Sequence, residues 1–226
     1  MDLQGRHVLI TGTTHGIGRQ LSLDLLAKGA RITSIDRTEQ HPEHSAWTSL
    51  QGDVRVGSQV QSCLERTQGP IDIVINNAGV MRRGGMFDSS ENDFSDLVDT
   101  HVRGSWLVLK AALPKLAPDA TIVQMASRHA IGLPENPALY GLTKRWVMDM
   151  AEVIGKTYPQ FRVKILCPGP VDTQLTRVGT TPEELEHKKK MMCSVPEMSA
   201  QIIRLLEADD KTRLLFDMTA KTHFLV

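Results

Sequence analysis

The chain alternates between short apolar runs and longer stretches in which apolar residues recur every three or four positions. The runs at residues 7–11, 30–36, 46–51, 71–76, 121–127, 162–167 and 213–216 are too short for helices and rich in Val, Ile and Leu, which predicts buried parallel strands. Between them, residues 16–29 place Ile17, Leu21, Leu25 and Leu26 at helical spacing and end on Gly29 as a C-cap. Residues 91–113 predict one long helix with Phe94, Leu97, Val98, His101, Ser105, Val108, Leu109 and Ala112 along a stripe, before Pro114 disturbs its last turn. Residues 138–157 form a further helix aligning Tyr140, Thr143, Lys144, Val147, Ala151 and Ile154. Later, Thr181-Pro182-Glu183-Glu184 is a capping box that opens a short charged helix.

Strands that alternate with helices, with no linker or repeat between them, predict an α/β fold. It is a single domain over residues 1–226, with a Rossmann-like, doubly wound parallel sheet of about seven strands and helices on both faces. Right-handed crossovers bring all the strand carboxyl ends to one edge, where a ligand should bind.

Composition narrows the ligand. The 26 Lys and Arg balance the 26 Asp and Glu, so the basic footprint that nucleic acid demands is missing. No apolar stretch approaches the roughly 18 residues that would span a bilayer, and residues 1–7 lack the pattern of a secretory signal. Cys63, Cys167 and Cys193 form no CxxC pair, which fits a reducing compartment and disfavours a disulfide framework or a metal site. A cytoplasmic protein is the expectation. The run Lys188-Lys189-Lys190 reads as a solvated helix face.

The segment Thr11-Gly12-Thr13-Thr14-His15-Gly16-Ile17-Gly18 joins the first strand to the first helix. Glycines allow a tight turn and close approach to a pyrophosphate, and the helix N-terminus offers free N–H groups and partial positive charge. Gly12, Thr14, His15, Gly16, Ile17 and Gly18 are therefore candidate dinucleotide contacts. Asp36 ends the second strand 18 residues after Gly18, where a carboxylate can accept bonds from ribose hydroxyls and repel a 2′-phosphate. That favours NAD over NADP, although the neighbouring Arg37 could embrace the same phosphate.

These residues occur together with Asn76-Asn77-Ala78-Gly79, Ser127, Tyr140-Gly141-Leu142-Thr143-Lys144, and Pro168-Gly169 followed by Thr173. In that order and spacing the chain resembles the short-chain dehydrogenase/reductase superfamily from Thr11 to about Phe216. The resemblance implies that Asp53 and Val54 bracket the adenine and that Asn77, Ala78 and Gly79 line the adenosine side. It also implies that Pro168, Gly169, Val171 and Thr173 meet the nicotinamide. Tyr140 would be the general acid/base, Ser127 the group orienting the substrate oxygen, and Lys144 the ribose ligand that lowers the phenol pKa. Tyr140 and Lys144, four apart on a helix, share one face, and an ammonium beside a phenol favours the phenolate. The implied reaction is reversible hydride transfer between a nicotinamide and a carbonyl carbon. NAD-dependent epimerisation or dehydration, or a non-catalytic dinucleotide sensor, are the alternatives.

One position departs from the family pattern: His101 stands three residues before Gly104, where an asparagine usually helps hold a relay water behind the lysine. An imidazole can maintain such a relay, or it can be a core histidine satisfied by a backbone carbonyl. Arg82, Arg83 and Arg128 either ring the cleft mouth, which suits an anionic carbonyl or alcohol substrate, or are solvated surface groups, and His129 is a loop residue near them. Residues 174–196 are expected to form a mobile lid with Met191 and Met192 offering apolar contact. The resemblance further implies a homodimer or homotetramer through the two long helices, with which the Trp-bearing stretch at residues 105–109 is compatible.

Overall fold

A computed structural model describes residues 1–38, 43–217 and 219–226 of the protein. Its first strand, β1 (His7–Thr11), is buried at every position and leads through the glycine loop into α1 (Gly16–Ala27). Then follow β2 (Arg31–Asp36), β3 (Trp47–Gln51), α2 (Gly57–Arg66) and β4 (Ile71–Asn76). The second half comprises α3 (Glu91–Leu97), α4 (Ser105–Ala112), β5 (Leu116–Met125), α5 (His129–Gly132), α6 (Ala138–Thr157) and β6 (Arg162–Cys167). The chain closes with α7 (Gln174–Arg177), α8 (Pro182–Lys189), α9 (Val195–Glu207), β7 (Arg213–Asp217) and β8 (Thr222–Leu225).

The sheet runs β3-β2-β1-β4-β5-β6-β7-β8, parallel except for β8. One face packs Val8, Ile10, Ile73, Ile75, Val123 and Leu166 against Leu21 and Leu25 of α1 and Met198, Ile202 and Leu206 of α9. The other packs Leu9, Ile35, Leu50 and Val74 against Val60, Cys63 and Leu64 of α2 and Val108 and Ala112 of α4. Period-2 alternation in each strand therefore feeds two apolar layers, and β1 and β4 are adjacent at the point where the order of the strands reverses. Loops leaving those two strands must diverge, which opens a crevice at their carboxyl ends.

Three sequence expectations are refined. Among the described residues the sheet has eight strands where about seven were expected, because residues 222–225 turn back at Lys221 (φ +53°) and pair antiparallel with β7. β5 begins at Leu116 and ends at Met125, so Ser127 lies just past the strand. The helix expected over residues 91–113 is interrupted by a wide π-type turn at Val98–Gly104. Such a turn inserts an extra residue into the helical repeat and shifts which side chains face inward. Thr100, His101 and Gly104 are buried by it, whereas Phe94, one turn before, is 51% exposed.

Candidate active site

The glycine loop is held by close backbone packing. Gly12 (φ +74°) and Gly16 (φ +57°) adopt backbone conformations that a side chain would strain, and a Cβ on Gly18 would sit 2.1 Å from the Gly12 carbonyl oxygen. Asn77 Nδ2 donates to the carbonyls of Thr11 and Gly12 at 2.9 and 2.8 Å. The Thr11 hydroxyl in turn accepts from the N–H groups of Asn77 and Ala78 at 3.1 and 3.0 Å. Asn77 and Ala78 thus buckle the end of β4 onto the loop. No side chain caps the first turn of α1, so its N–H groups open towards the crevice.

Asp36 accepts from the Thr14 N–H through one oxygen at 2.8 Å and from the Arg37 N–H through the other at 2.7 Å. It both braces the loop and brings a carboxylate to the crevice. The Asp53 carboxylate turns instead to the Arg55 guanidinium, at 2.7 to 3.1 Å, and that bond holds it below the usual carboxylate range.

At the other end, Lys144 Nζ donates to the Met125 carbonyl at 2.8 Å and lies 5.9 Å from the centre of the Tyr140 ring. Tyr140 is hydrogen-bonded to the Ser127 side chain, and Ser127 Oγ also accepts from the His129 N–H at 3.2 Å. Burial pushes Tyr140 up to about 12, against which the Ser127 bond acts, and burial pushes Lys144 down to about 8. Desolvation is thus the larger effect on the phenol, opposed by the Ser127 side chain.

His101 is fully buried behind this group. Its Nε2 accepts from the Val80 N–H at 3.1 Å, so Nδ1 carries the proton and donates to Thr143 Oγ1 at 2.9 Å. Thr143 Oγ1 donates onward to the Tyr140 carbonyl at 3.0 Å. The ring stands edge-on to Tyr140, with 5.5 Å between centroids. Burial first, then the nearby Lys144 ammonium, keep the imidazole neutral far below its ordinary range. One ring nitrogen of His101 is thus satisfied by a backbone N–H and the other by the Thr143 hydroxyl. A Cβ on Gly79 would come within 3.2 Å of His101 Nε2 and 3.5 Å of Lys144 Nζ, which accounts for glycine there.

One cleft of about 850 Å³ joins the two ends. Gly12, Thr14, His15, Gly16, Ile17, Gly18, Asp36, Arg37, Asp53, Val54, Asn77, Ala78 and Gly79 line it together with Ser127, Tyr140, Lys144, Pro168, Gly169, Val171 and Thr173, whereas His101 does not. An uncapped helix N-terminus and close-packed glycine turn at one end, and a hydroxyl, phenol and amine at the other, fit an elongated dinucleotide.

The substrate side departs further from expectation. Arg82 is neutralised by Asp93 and Asp96 at 3.1 and 2.6 Å. Met191 and Met192 do not line the cleft; Leu175, Val178 and Lys188 of the covering segment do. Lys188, read from sequence as part of a solvated face, turns inward from α8.

A family model described as short chain dehydrogenase matches residues 6–184. Oxidoreductase UcpA of Salmonella typhimurium is 33% identical over 190 residues, covering 76% of this chain and 72% of its own. Among solved structures, a short chain dehydrogenase from Burkholderia cenocepacia in complex with NADP superposes with a TM-score of 0.85 at 21% identity, over 98% of this chain and 92% of that one. A 3-ketoacyl-(acyl-carrier-protein) reductase from Brucella melitensis complexed with NADH gives 0.80 at 22%, over 90% and 91%. The chain belongs to the short-chain dehydrogenases. It is an oxidoreductase that binds a nicotinamide dinucleotide and acts on CH–OH groups.

Two contacts in this dehydrogenase were beyond sequence reasoning. The Gly169 N–H donates to Nε2 of His223 at 3.1 Å, and a Cβ on Gly169 would lie 2.4 Å from the Phe216 ring. The loop after β6 is therefore braced by the unforeseen hairpin β7–β8, and nothing in the local pattern of residues 219–226 signals that pairing.

Proposed function

We propose that the dehydrogenase interconverts an alcohol and a ketone, with NAD(H) preferred over NADP(H). The observation that carries this reading is the convergence of Ser127, Tyr140 and Lys144 at one end of the cleft whose other end holds Asp36. The bound nicotinamide supplies the hydride donor or acceptor. Ser127 Oγ orients the substrate oxygen, and the phenol of Tyr140, protonated at neutral pH, donates to it in the direction of reduction. Lys144, fixed by the Met125 carbonyl, keeps further N–H groups with which it would hold the ribose. Asp36 offers a carboxylate to ribose hydroxyls and repels a 2′-phosphate, by about 1 kcal/mol in water and about 4 at an effective dielectric of 20 for charges about 4 Å apart.

His101 acts in this scheme as a positioning residue, tying Val80 to Thr143 and the first turn of α6. Exposed Trp106 on α4, with Leu142, Trp146 and Val153 on α6, support a homodimer or homotetramer through those helices. Three free cysteines support a cytoplasmic location. The reading is tested by following NADH consumption with a panel of ketones, for the wild type and Tyr140→Phe. Turnover should fall about a hundredfold to ten-thousandfold in the variant. Wild-type NADH binding without turnover, or an active variant, would overturn it.

A further inference from the structure

Two cations meet on one neutral oxygen at the rim of the cleft. Arg83 Nη2 donates to Thr180 Oγ1 at 3.1 Å and Lys188 Nζ donates to the same atom at 3.0 Å. Thr180 itself donates to the Thr176 carbonyl, so its hydroxyl brings no negative charge to the pair. Arg83 is also fastened to the covering segment through the Val178 carbonyl and Glu184, at 3.2 Å each. Arg128, directly after Ser127, also lines the cleft.

Among the described residues few acids adjoin Arg83 and Lys188. Glu184 offsets one charge. Asp96 is committed to Arg55 and Arg82, and the other acids lining the cleft, Asp36 and Asp53, belong to the adenosine end. The surplus is felt inside: His129, 5.9 Å from Tyr140 between ring centroids, is lowered to about 4, by burial first and then by Arg128, Lys188 and Arg83. Partly desolvated like charges held together without a full counter-charge are unfavourable, and an anion between them removes that cost. Met81, Leu175 and Val178 supply apolar wall beside the same region.

We infer that the substrate carries an anionic head group, carboxylate or phosphate ester, received by Lys188, Arg83 and Arg128 while its carbonyl lies at Ser127 and Tyr140. This rests on the oxidoreductase reading and adds the substrate class to it. Charge-assisted, fork-like pairing to Arg and a point-charge contact from Lys suit both head groups.

The test compares NADH oxidation with short 3-oxo acids against their methyl esters, and with dihydroxyacetone phosphate against dihydroxyacetone. The anionic member of at least one pair should show kcat/KM at least about tenfold higher, an advantage that shrinks as salt is added. The more favoured pair identifies the head group. Lys188→Gln should erase most of the anion-to-neutral ratio, and Lys188→Glu should reverse it. Neutral partners used equally well, or an unchanged ratio in Lys188→Gln, overturn the inference while leaving the oxidoreductase reading intact. If no ketone is reduced, that reading fails by itself, and melting shifts of the NADH complex decide the anion site. Stabilisation by the acid or phosphate but not by its neutral partner supports it; equal shifts, or none, overturn it.

Discussion

Acidification from pH 7 to 5 should weaken the fold by an amount traceable to buried histidines, His101 first among them. A protonated imidazole has no acceptor nitrogen, so a charged His101 must give up the Val80 N–H and face Lys144 with a like charge. The folded chain therefore keeps His101 neutral far below 6.5, where the unfolded chain takes up the proton. His129 behaves alike, with a folded value of about 4. The sign follows from proton counting: below pH 6.5 the unfolded state binds more protons, so stability is fully present above 6.5 and is lost as pH falls.

His129, with its folded value of about 4, contributes up to about 1.4 kcal/mol per pH unit below 6.5, or about 1.5 kcal/mol by pH 5, and His101 adds to it in the same direction. His7 and His223, also lowered by burial, act in the same direction. Against a typical total of about 5–15 kcal/mol this is a large fraction. Urea unfolding followed through Trp47, Trp106 and Trp146 at fixed protein concentration reads it directly. His101→Asn should cost about 1–3 kcal/mol at pH 7, because a shorter amide cannot hold Val80 and Thr143 together. Its stability should then fall less steeply with acid, by up to about 1.4 kcal/mol per pH unit. The variant should keep turnover. A wild-type midpoint that is flat between pH 7 and 5, or an identical slope in His101→Asn, would refute the reasoning.

Other expectations follow from the cleft. Tyr140→Phe should leave the Kd for NADH, read by fluorescence titration, within about threefold of the wild type, because the general acid is removed while the glycine loop is untouched. Asp36→Ala should raise the NADP-to-NAD ratio of kcat/KM at least about tenfold by removing the charge that opposes a 2′-phosphate. It should also lower the melting temperature, since the Thr14 N–H loses its acceptor. Gly18→Ala forces a methyl to within 2.4 Å of Asn77 Nδ2 as well as against the Gly12 carbonyl, so it should abolish measurable NADH binding and destabilise the fold by about 1–3 kcal/mol in urea. Retained NADH affinity in that variant would show that the loop is not the cradle.

What could be read from the sequence divides along a physical line. Elements whose identity is set locally were legible: β1, β2, β4 and β6 are short apolar runs between glycines and helices, and α1 and α6 carry a steady apolar period. Residues of the cleft were legible for a related reason, because parallel winding sends every strand's carboxyl end to one edge, whatever the details of packing. The misses are features fixed only by what lies opposite in space. The stripe over residues 91–113 has an unbroken helical period, yet the chain winds wide at Val98–Gly104, where Gly104 packs against Val54 closely enough that a Cβ would lie 2.9 Å from its methyl. The period alone cannot report a neighbour from the segment after β3. In the same way Lys188 sits in a run of three lysines that any hydropathy pattern assigns to water, and only the docking of α8 over the cleft, through Arg83 and Glu184, turns it inward. The substrate side is built almost entirely from such contacts, whereas the cofactor side is built from backbone turns that local residue types dictate. Hence the residues lining the glycine-loop end of the cleft were readable position by position, and the meeting of Arg83 and Lys188 on the Thr180 hydroxyl emerges only when segments distant in sequence are brought together.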